Sequence, residues 1–213
     1  MTGTGTVGGR KARSAETEAA LKEAAKRVFA RTGYLKAKIT DITAEADRAA
    51  GSFYSHFSSK EQLLEALFVD MLAEGDRWAE ESGHSPDFTD PAAVRWHIAV
   101  YWRFVGANRP VLAALAQAAM VDEHFAGRLR ELFEPTVHDL ADHLDHIRAA
   151  GGRLPGEPLL VASMLISTMS HFVFHWLLDG AGLLGREVSD QEAVDTLADF
   201  IVHGISGSPA PPA

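Results

Sequence analysis

The chain is 213 residues long, 46% hydrophobic and 23% charged, with a formal net charge of −9 and no cysteine. Such a chain can bury a sizeable core as one domain, or as a small domain joined to a larger one. The missing cysteines exclude disulfide scaffolds, thiol nucleophiles and thiolate metal sites. The charge is divided sharply: residues 1–60 hold eleven Lys/Arg against six Asp/Glu, residues 61–213 nine against twenty-three, and all six lysines lie at or before Lys60. A basic head on an acidic body suits a chain that meets polyanions at one end.

The N-terminus, MTGTGTVGGRKARS, lacks the apolar stretch of a secretion signal, which points to the cytoplasm. Residues 1–13 are Gly/Thr-rich and then basic, with Arg10, Lys11 and Arg13, and read as a flexible arm, either lying along DNA or simply disordered. From about Ser14 to Thr32, Leu21, Ala24, Ala25, Val28 and Phe29 recur at helical spacing, and Gly33 supplies a stop. Two short helices follow, about Ile39 to Ala46 and about Arg48 to Tyr54. Ile42, Ala46, Phe53 and Phe57 give them an apolar seam, while Gly51, Ser52, Tyr54, His56 and Lys60 stay small or polar. Ser58-x-x-Glu61 and Ser59-x-x-Gln62 both have capping-box spacing, so a fourth helix starts there. Leu63, Leu64, Leu67, Phe68, Met71 and Leu72 form its apolar face.

Ser82 to Pro91 is turn-rich. Pro91 then opens a helix to about Asn108 whose Trp96, Ile98, Val100, Tyr101, Trp102, Phe104 and Val105 leave little polar face, so other helices should surround it. A shorter helix from Arg109-Pro110 ends near Met120. A longer one, about Asp122 to Ala149, turns Phe125, Leu129, Leu132, Phe133, Val137, Leu140, Leu144 and Ile147 inward, with a kink expected at Pro135. Beyond the Gly151–Gly156 loop, Pro158 begins a helix with no charged residue from Leu159 to Leu178. That length could span a membrane. His171, His175, Thr168, Ser163, Ser167 and Ser170 argue instead for a helix buried on one face and covered by a second subunit on the other. A last helix, about Ser189 to His203, carries Val194, Leu197, Ile201 and Val202; a disordered tail is expected over 206–213.

The stretch Ile39 to Lys60, ITDITAEADRAAGSFYSHFSSK, taken with Phe29 and Gly33-Tyr34, resembles the N-terminal domain of TetR-family transcriptional regulators. The likeness covers roughly residues 15–62. Its most specific part is the run small-Gly-polar-aromatic-Tyr-x-His-Phe-x-x-Lys, matched by Ala50 to Lys60. Two positions depart from the family pattern. Lys38 stands where a small hydroxyl is usual, and Asp47-Arg48-Ala49 replaces a frequent Gly-Val-Ser. Asp47 is expected to cap the third helix, leaving Arg48 to reach outward.

The resemblance implies an all-α chain: a helix-turn-helix DNA-binding domain over 14–60 and a larger helical effector-binding and dimerisation domain over 61–205. In such a head the second helix of the motif enters the major groove. Arg48, Ala50, Gly51 and Ser52 would then face bases or thymine methyls, Tyr54, His56 and Lys60 the backbone, and Thr40 would cap the second helix or touch a phosphate. The family precedent implies a homodimer through helices about 158–179 and 189–203, bound to a palindromic operator and usually repressing. Release would follow entry of a small molecule, which would repack the helix ending near Asn108 and tilt the Lys60–Ser82 helix. No cofactor is implied.

Aromatic and sulfur side chains of the larger domain suggest an apolar or aromatic effector, with Trp96, Val100, Phe104, Met120, Phe125, Met164, Thr168, His171, Phe172 and His175 as candidate lining. No phosphate loop, nucleophile elbow or pair of catalytic acids stands out, so an enzyme is not expected. His171 and His175 are spaced i, i+4, and Asp139, His143 and His146 i, i+4, i+7, spacings that can hold a metal. Ligand contact, core packing or a subunit interface for the first pair, and local Asp–His pairs for the second set, are the commoner explanations, and no metal site is assigned. Two rival readings use the same residues: a metal- or ligand-binding helical sensor with altered or lost operator binding, and a helical enzyme built on the histidines.

Overall fold

The computed structural model describes residues 5–81, 85–178, 186 and 188–206, with side chains over 9–78, 85–173, 186 and 188–203. Among the described residues every regular element is a helix: α1 (Gly5–Thr32), α2 (Ile39–Glu45), α3 (Ala50–Tyr54), α4 (Lys60–Glu81), α5 (Pro91–Ala107), α6 (Arg109–Val121), α7 (Glu123–Ala149), α8 (Pro158–Leu178) and α9 (Asp190–Ser206). They form two compact units, each built from separated stretches. The head comprises Met1–Leu72 with Asn108–Leu129, and the trunk Ala73–Ala107 with Arg130–Ala213. The head thus includes α6, which sequence reading assigned to the larger domain.

In the head, α1 packs on α2 and α6, and α2 on α3. Leu21, Val28, Ile42, Phe53, Leu63 and Leu64 are completely buried, each such burial worth about 1.5–3 kcal/mol. Helices as short as α2 and α3 hold together through that packing rather than through their own hydrogen bonds. The seam read from sequence is present: Ile42, Phe53 and Phe57 are core residues, and Ala46 is half-buried.

One correction concerns the N-terminus. Residues 5–13, expected as a flexible arm, form the first turns of α1. Once a helix is nucleated from Ser14 onward, each added residue gains a bond at little entropic cost. Arg13 Nε also donates to Gly9 O at 3.2 Å, and Thr17 Oγ1 to Arg13 O at 3.0 Å. Residues 1–4, and 207–213 of the expected tail, lie outside the described residues.

A second correction concerns the turn. Asp47 does not cap α3, whose N-cap is Ala49 with no side-chain bond. It sits instead in the left-handed region, φ 52°, and closes α2. Its N–H reaches Ala44 O at 3.1 Å, and the Arg48 N–H reaches Thr43 O at 2.9 Å, the paired bonds of a Schellman ending. Glycine suits that position because a Cβ is strained there; aspartate tolerates it better than most. We expect Asp47→Gly to raise unfolding stability by about 0.5–1 kcal/mol and Asp47→Val to lower it by about 1 kcal/mol or more, read from urea titrations.

In the trunk, α5 packs against α9 and α8. Val94, Ile98, Trp102 and Val105 are buried, Arg95 Nε meets Asp195 Oδ1 at 2.5 Å, and the Tyr101 hydroxyl bonds Ser170 Oγ at 2.9 Å. Asp90 prepares the start of α5 by accepting from the Ala92 N–H at 2.9 Å. α7 continues as one helix through Pro135. On α8, Val161, Ala162 and Val173 face the core, whereas Leu160 and Met164 are about 60% exposed. Ser163, Ser167, Thr168 and His171 continue that exposed side. No single helix among the described residues is long and apolar enough to cross a membrane.

Candidate nucleic-acid interface and effector region

The eight residues expected to meet DNA divide into two sets. Thr40, Ala50, Gly51 and Tyr54 are exposed, and Ser52 is half-exposed beside them. Together they form the outer surface of α3 and the start of α2. Buried Phe53 anchors this surface from beneath, touching Phe57 at 5.7 Å and the Tyr54 ring edge-on at 5.5 Å. Nothing lies within 4 Å of where a Cβ would stand on Gly51. At the start of α2, the Asp41 carboxylate accepts from the Lys38 N–H at 3.1 Å, leaving the lysine side chain out of the cap. Lys36 and Lys38 are both exposed. Sequence reading passed over them as contacts, although their place among the head's lysines was a usable signal.

The other three are engaged with groups of the head itself. Arg48 donates to Asp47 O at 3.0 Å and leans toward Glu16 at 3.8 Å. The His56 side chain, 12% exposed, lies 3.9 Å from Glu18. Lys60 is the clearest departure. Its ammonium donates to Tyr34 O at 2.8 Å and Ala37 O at 3.0 Å and sits 4.1 Å from the centre of the Tyr34 ring. Burial holds its pKa below the ordinary lysine value, with the neighbouring Glu61 acting in the opposite sense.

The Tyr34 hydroxyl donates to Glu61 at 2.8 Å, and burial pushes the phenol's pKa far up, with that bond adding to it. Gln117 of α6 completes the clasp: its Oε1 accepts the Tyr34 N–H at 2.9 Å and the Leu35 N–H at 3.4 Å. The loop that aims α2 and α3 is therefore held by α4 and α6 at once. Other head cations are neutralised locally. Lys22 pairs with Glu18 and Asp70. Arg27 and Arg31 both pair with Glu45, and those bonds lower the Glu45 pKa.

The candidate effector residues fall in both units. Met120, 85% exposed, and Phe125, buried, belong to the head. Met164, Thr168 and His171 occupy the exposed side of α8, because that helix is apolar nearly all round and its period does not say which face looks inward. Within the trunk, Phe104 meets Trp78 edge-on at 6.3 Å, and Trp102 lies 6.1 Å from Phe172. Trp78, over which Arg103 sits at 5.7 Å, was not among the expected residues. Trp96 and Val100 are half-buried, and the His175 side chain lies outside the described residues. An open cavity of about 480 Å³ is lined by Arg148, Arg153, Leu154, Glu157 and their neighbours at the α7–α8 connection, and none of the candidate effector residues is in that lining.

Among the described residues no group of three His, Asp or Glu is placed to hold a metal. Nδ1 of His143, His146 and His171 is engaged with the carbonyl four residues back on its own helix.

Comparison with known proteins agrees with this geometry. Residues 21–67 match the family described as bacterial regulatory proteins, tetR family. The HTH-type transcriptional regulator TtgR of Pseudomonas putida is 36% identical over 76 residues, 36% of each chain. The HTH-type transcriptional repressor DhaR of a Mycobacterium species is 44% identical over 55 residues, 24% of this chain and 28% of that one. The matched stretch thus spans about a third of these relatives' length. The fold as a whole is similar to that of the regulator FadR from Bacillus subtilis in complex with stearoyl-CoA, with a TM-score of 0.72 and 17% identity over 87% of this chain and 98% of that one. FadR from Bacillus halodurans gives a TM-score of 0.72 and 18% identity over the same shares. Residues 21–67 thus match the tetR family of bacterial regulatory proteins in sequence, and the fold over 87% of the chain is similar to that of solved regulators.

Proposed function

We propose that the chain is a transcriptional repressor that grips a palindromic operator as a homodimer and lets go when a small, largely apolar or aromatic effector binds its trunk. The observation that carries this reading is the outer face of α3. Ala50, Gly51 and Ser52 are too small to hold a duplex away, Tyr54 beside them is 61% exposed, and Lys36 and Lys38 lie exposed at the entry to α2. Base readout by so plain a surface leans on thymine methyls and duplex shape. The exposed side of α8, with Leu160 and Met164, and Phe200 of α9, 67% exposed, supports pairing of two copies through these helices. The aromatic groups around Trp78, Phe104, Trp102 and Phe172 support an apolar effector. Because the Bacillus subtilis FadR structure holds stearoyl-CoA, long-chain acyl thioesters belong in the first screen beside aromatic compounds. An effector relieves repression only if it favours the non-binding state, by a coupling of about 1–3 kcal/mol.

Fluorescence anisotropy on the chain's own upstream DNA tests the reading, with the mass of the complex measured alongside. Two copies per operator are expected. Tyr54→Ala should weaken binding about tenfold or more by removing a phosphate bond from each head, while thermal stability stays within about 0.5 kcal/mol of the parent, as for an exposed side chain. A monomer that ignores this DNA in dilute salt would end the proposal.

A further inference from the structure

We propose that the first turns of α1 are a second duplex-binding element, in which Arg10, Lys11 and Arg13 hold phosphates flanking those met by α3. This extends the reading of the head as DNA-binding and rests on it. Residues 9–16 are all exposed, so this part of α1 has no apolar face buried against the protein. Its composition is poor for a helix, with Gly5, Gly8 and Gly9 within the first five residues of α1. Its first turn carries no acid to offset the positive end of the helix dipole, and three cations stand in the turns that follow. A helix so placed gains from an anion that offsets both charges.

Its position says which anion. Glu16 leans on Arg48 of the recognition turn at 3.8 Å, and Glu18 lies 3.9 Å from His56 at the end of α3. Arg10, Arg13 and Glu16 follow one another at i, i+3 spacing, and Lys11 stands seven residues before Glu18. Residues at those spacings share a helix face. Arg10 and Arg13 on one row, and Lys11 on the other, therefore continue outward along the helix the two rows whose acids lie against the recognition element. Arg10 stands about 9 Å along the axis from Glu16, within reach of strand beyond the bases under α3. Among the described residues no carboxylate is paired with any of the three. Duplex phosphate is the partner that matches this charge and place.

The test uses the full chain and the triple variant Arg10→Gln, Lys11→Gln, Arg13→Gln, titrated against the upstream duplex and against a mixed-sequence duplex at several salt concentrations. We expect the variant to bind both at least tenfold more weakly near physiological salt. Its log–log salt slope should be shallower by about 2–3 for each bound head, and the ratio between the two duplexes should be kept, because phosphate contacts do not read sequence. Backbone amides of residues 9–14 should gain hydrogen-exchange protection on duplex in the parent. An unchanged slope on both duplexes, or amides that stay unprotected, would overturn the inference while leaving the α3 reading intact. If the parent prefers neither duplex yet the slope difference persists, the operator reading fails and this one stands. If the parent binds neither duplex, both fall.

Discussion

Gly51→Glu is expected to leave the fold as stable as the parent, or slightly more stable, while weakening operator binding at least a hundredfold. The two effects separate because of where the residue stands. Beyond its chain neighbours and the backbone of its own helix, no atom lies within 4 Å of its absent Cβ, and it occupies the second position of α3. Glycine inside a helix costs about 0.5–1 kcal/mol against ordinary residues, and an acid near a helix start gains a few tenths more. Thermal unfolding should show no loss. On the DNA side, if α3 enters the groove as proposed, the new carboxylate would face base edges and phosphates at the closest approach of the two molecules. Like charges brought together at an interface cost several kcal/mol, and the proposed homodimer would meet the penalty twice. Gly51→Ala separates size from charge: a methyl should cost less than tenfold if the surface is only close, and far more if the groove is filled to contact. A Gly51→Glu protein that is folded and binds normally would move the interface away from α3.

How much of this could be read in the chain depends on the range over which the information lies. The seam of Ile42, Phe53 and Phe57, the stop at Gly33 and the Pro91 start of α5 are local patterns, and the structure has them where spacing puts them. The inward turn of Lys60 was not legible. Its acceptors are backbone carbonyls 26 and 23 residues earlier, and no side-chain pattern announces a carbonyl. Gln117 is more remote still, 83 residues from the amide it holds. The helical start of α1 was hidden for the opposite reason: its glycines argue locally for coil, and helix continuity outweighs them. On α8 the obstacle was ambiguity. A helix apolar nearly all round has several candidate inner faces, so Met164, Thr168 and His171 could not be divided between pocket and partner by period alone. Asp47 shows a departure from the family pattern whose meaning became plain only with a φ angle.

Lys60→Met should destabilise the head by about 2–4 kcal/mol, far more than loss of a surface lysine. The ammonium makes two bonds to carbonyls, each of the charged kind worth about 1.5–3 kcal/mol, and lies against the Tyr34 face, where a cation adds about 0.5–2 kcal/mol. Methionine keeps most of the stem's packing but leaves the carbonyls of Tyr34 and Ala37 without that donor. Part of the loss is recovered as water reaches the half-buried site, which is why the terms do not simply add. Tyr34→Phe should fall between parent and Lys60→Met: it keeps the ring beneath the ammonium and removes the bond to Glu61. The DNA readout then decides what the lysine is for. If it positions the 33–37 loop, operator affinity falls with stability while the salt slope stays where it was, since no phosphate contact has been removed. A variant within about 0.5 kcal/mol of the parent by urea titration, with a slope shallower by about one, would instead put the ammonium on a phosphate in the complex. That outcome would mean the clasp seen here opens when DNA is bound.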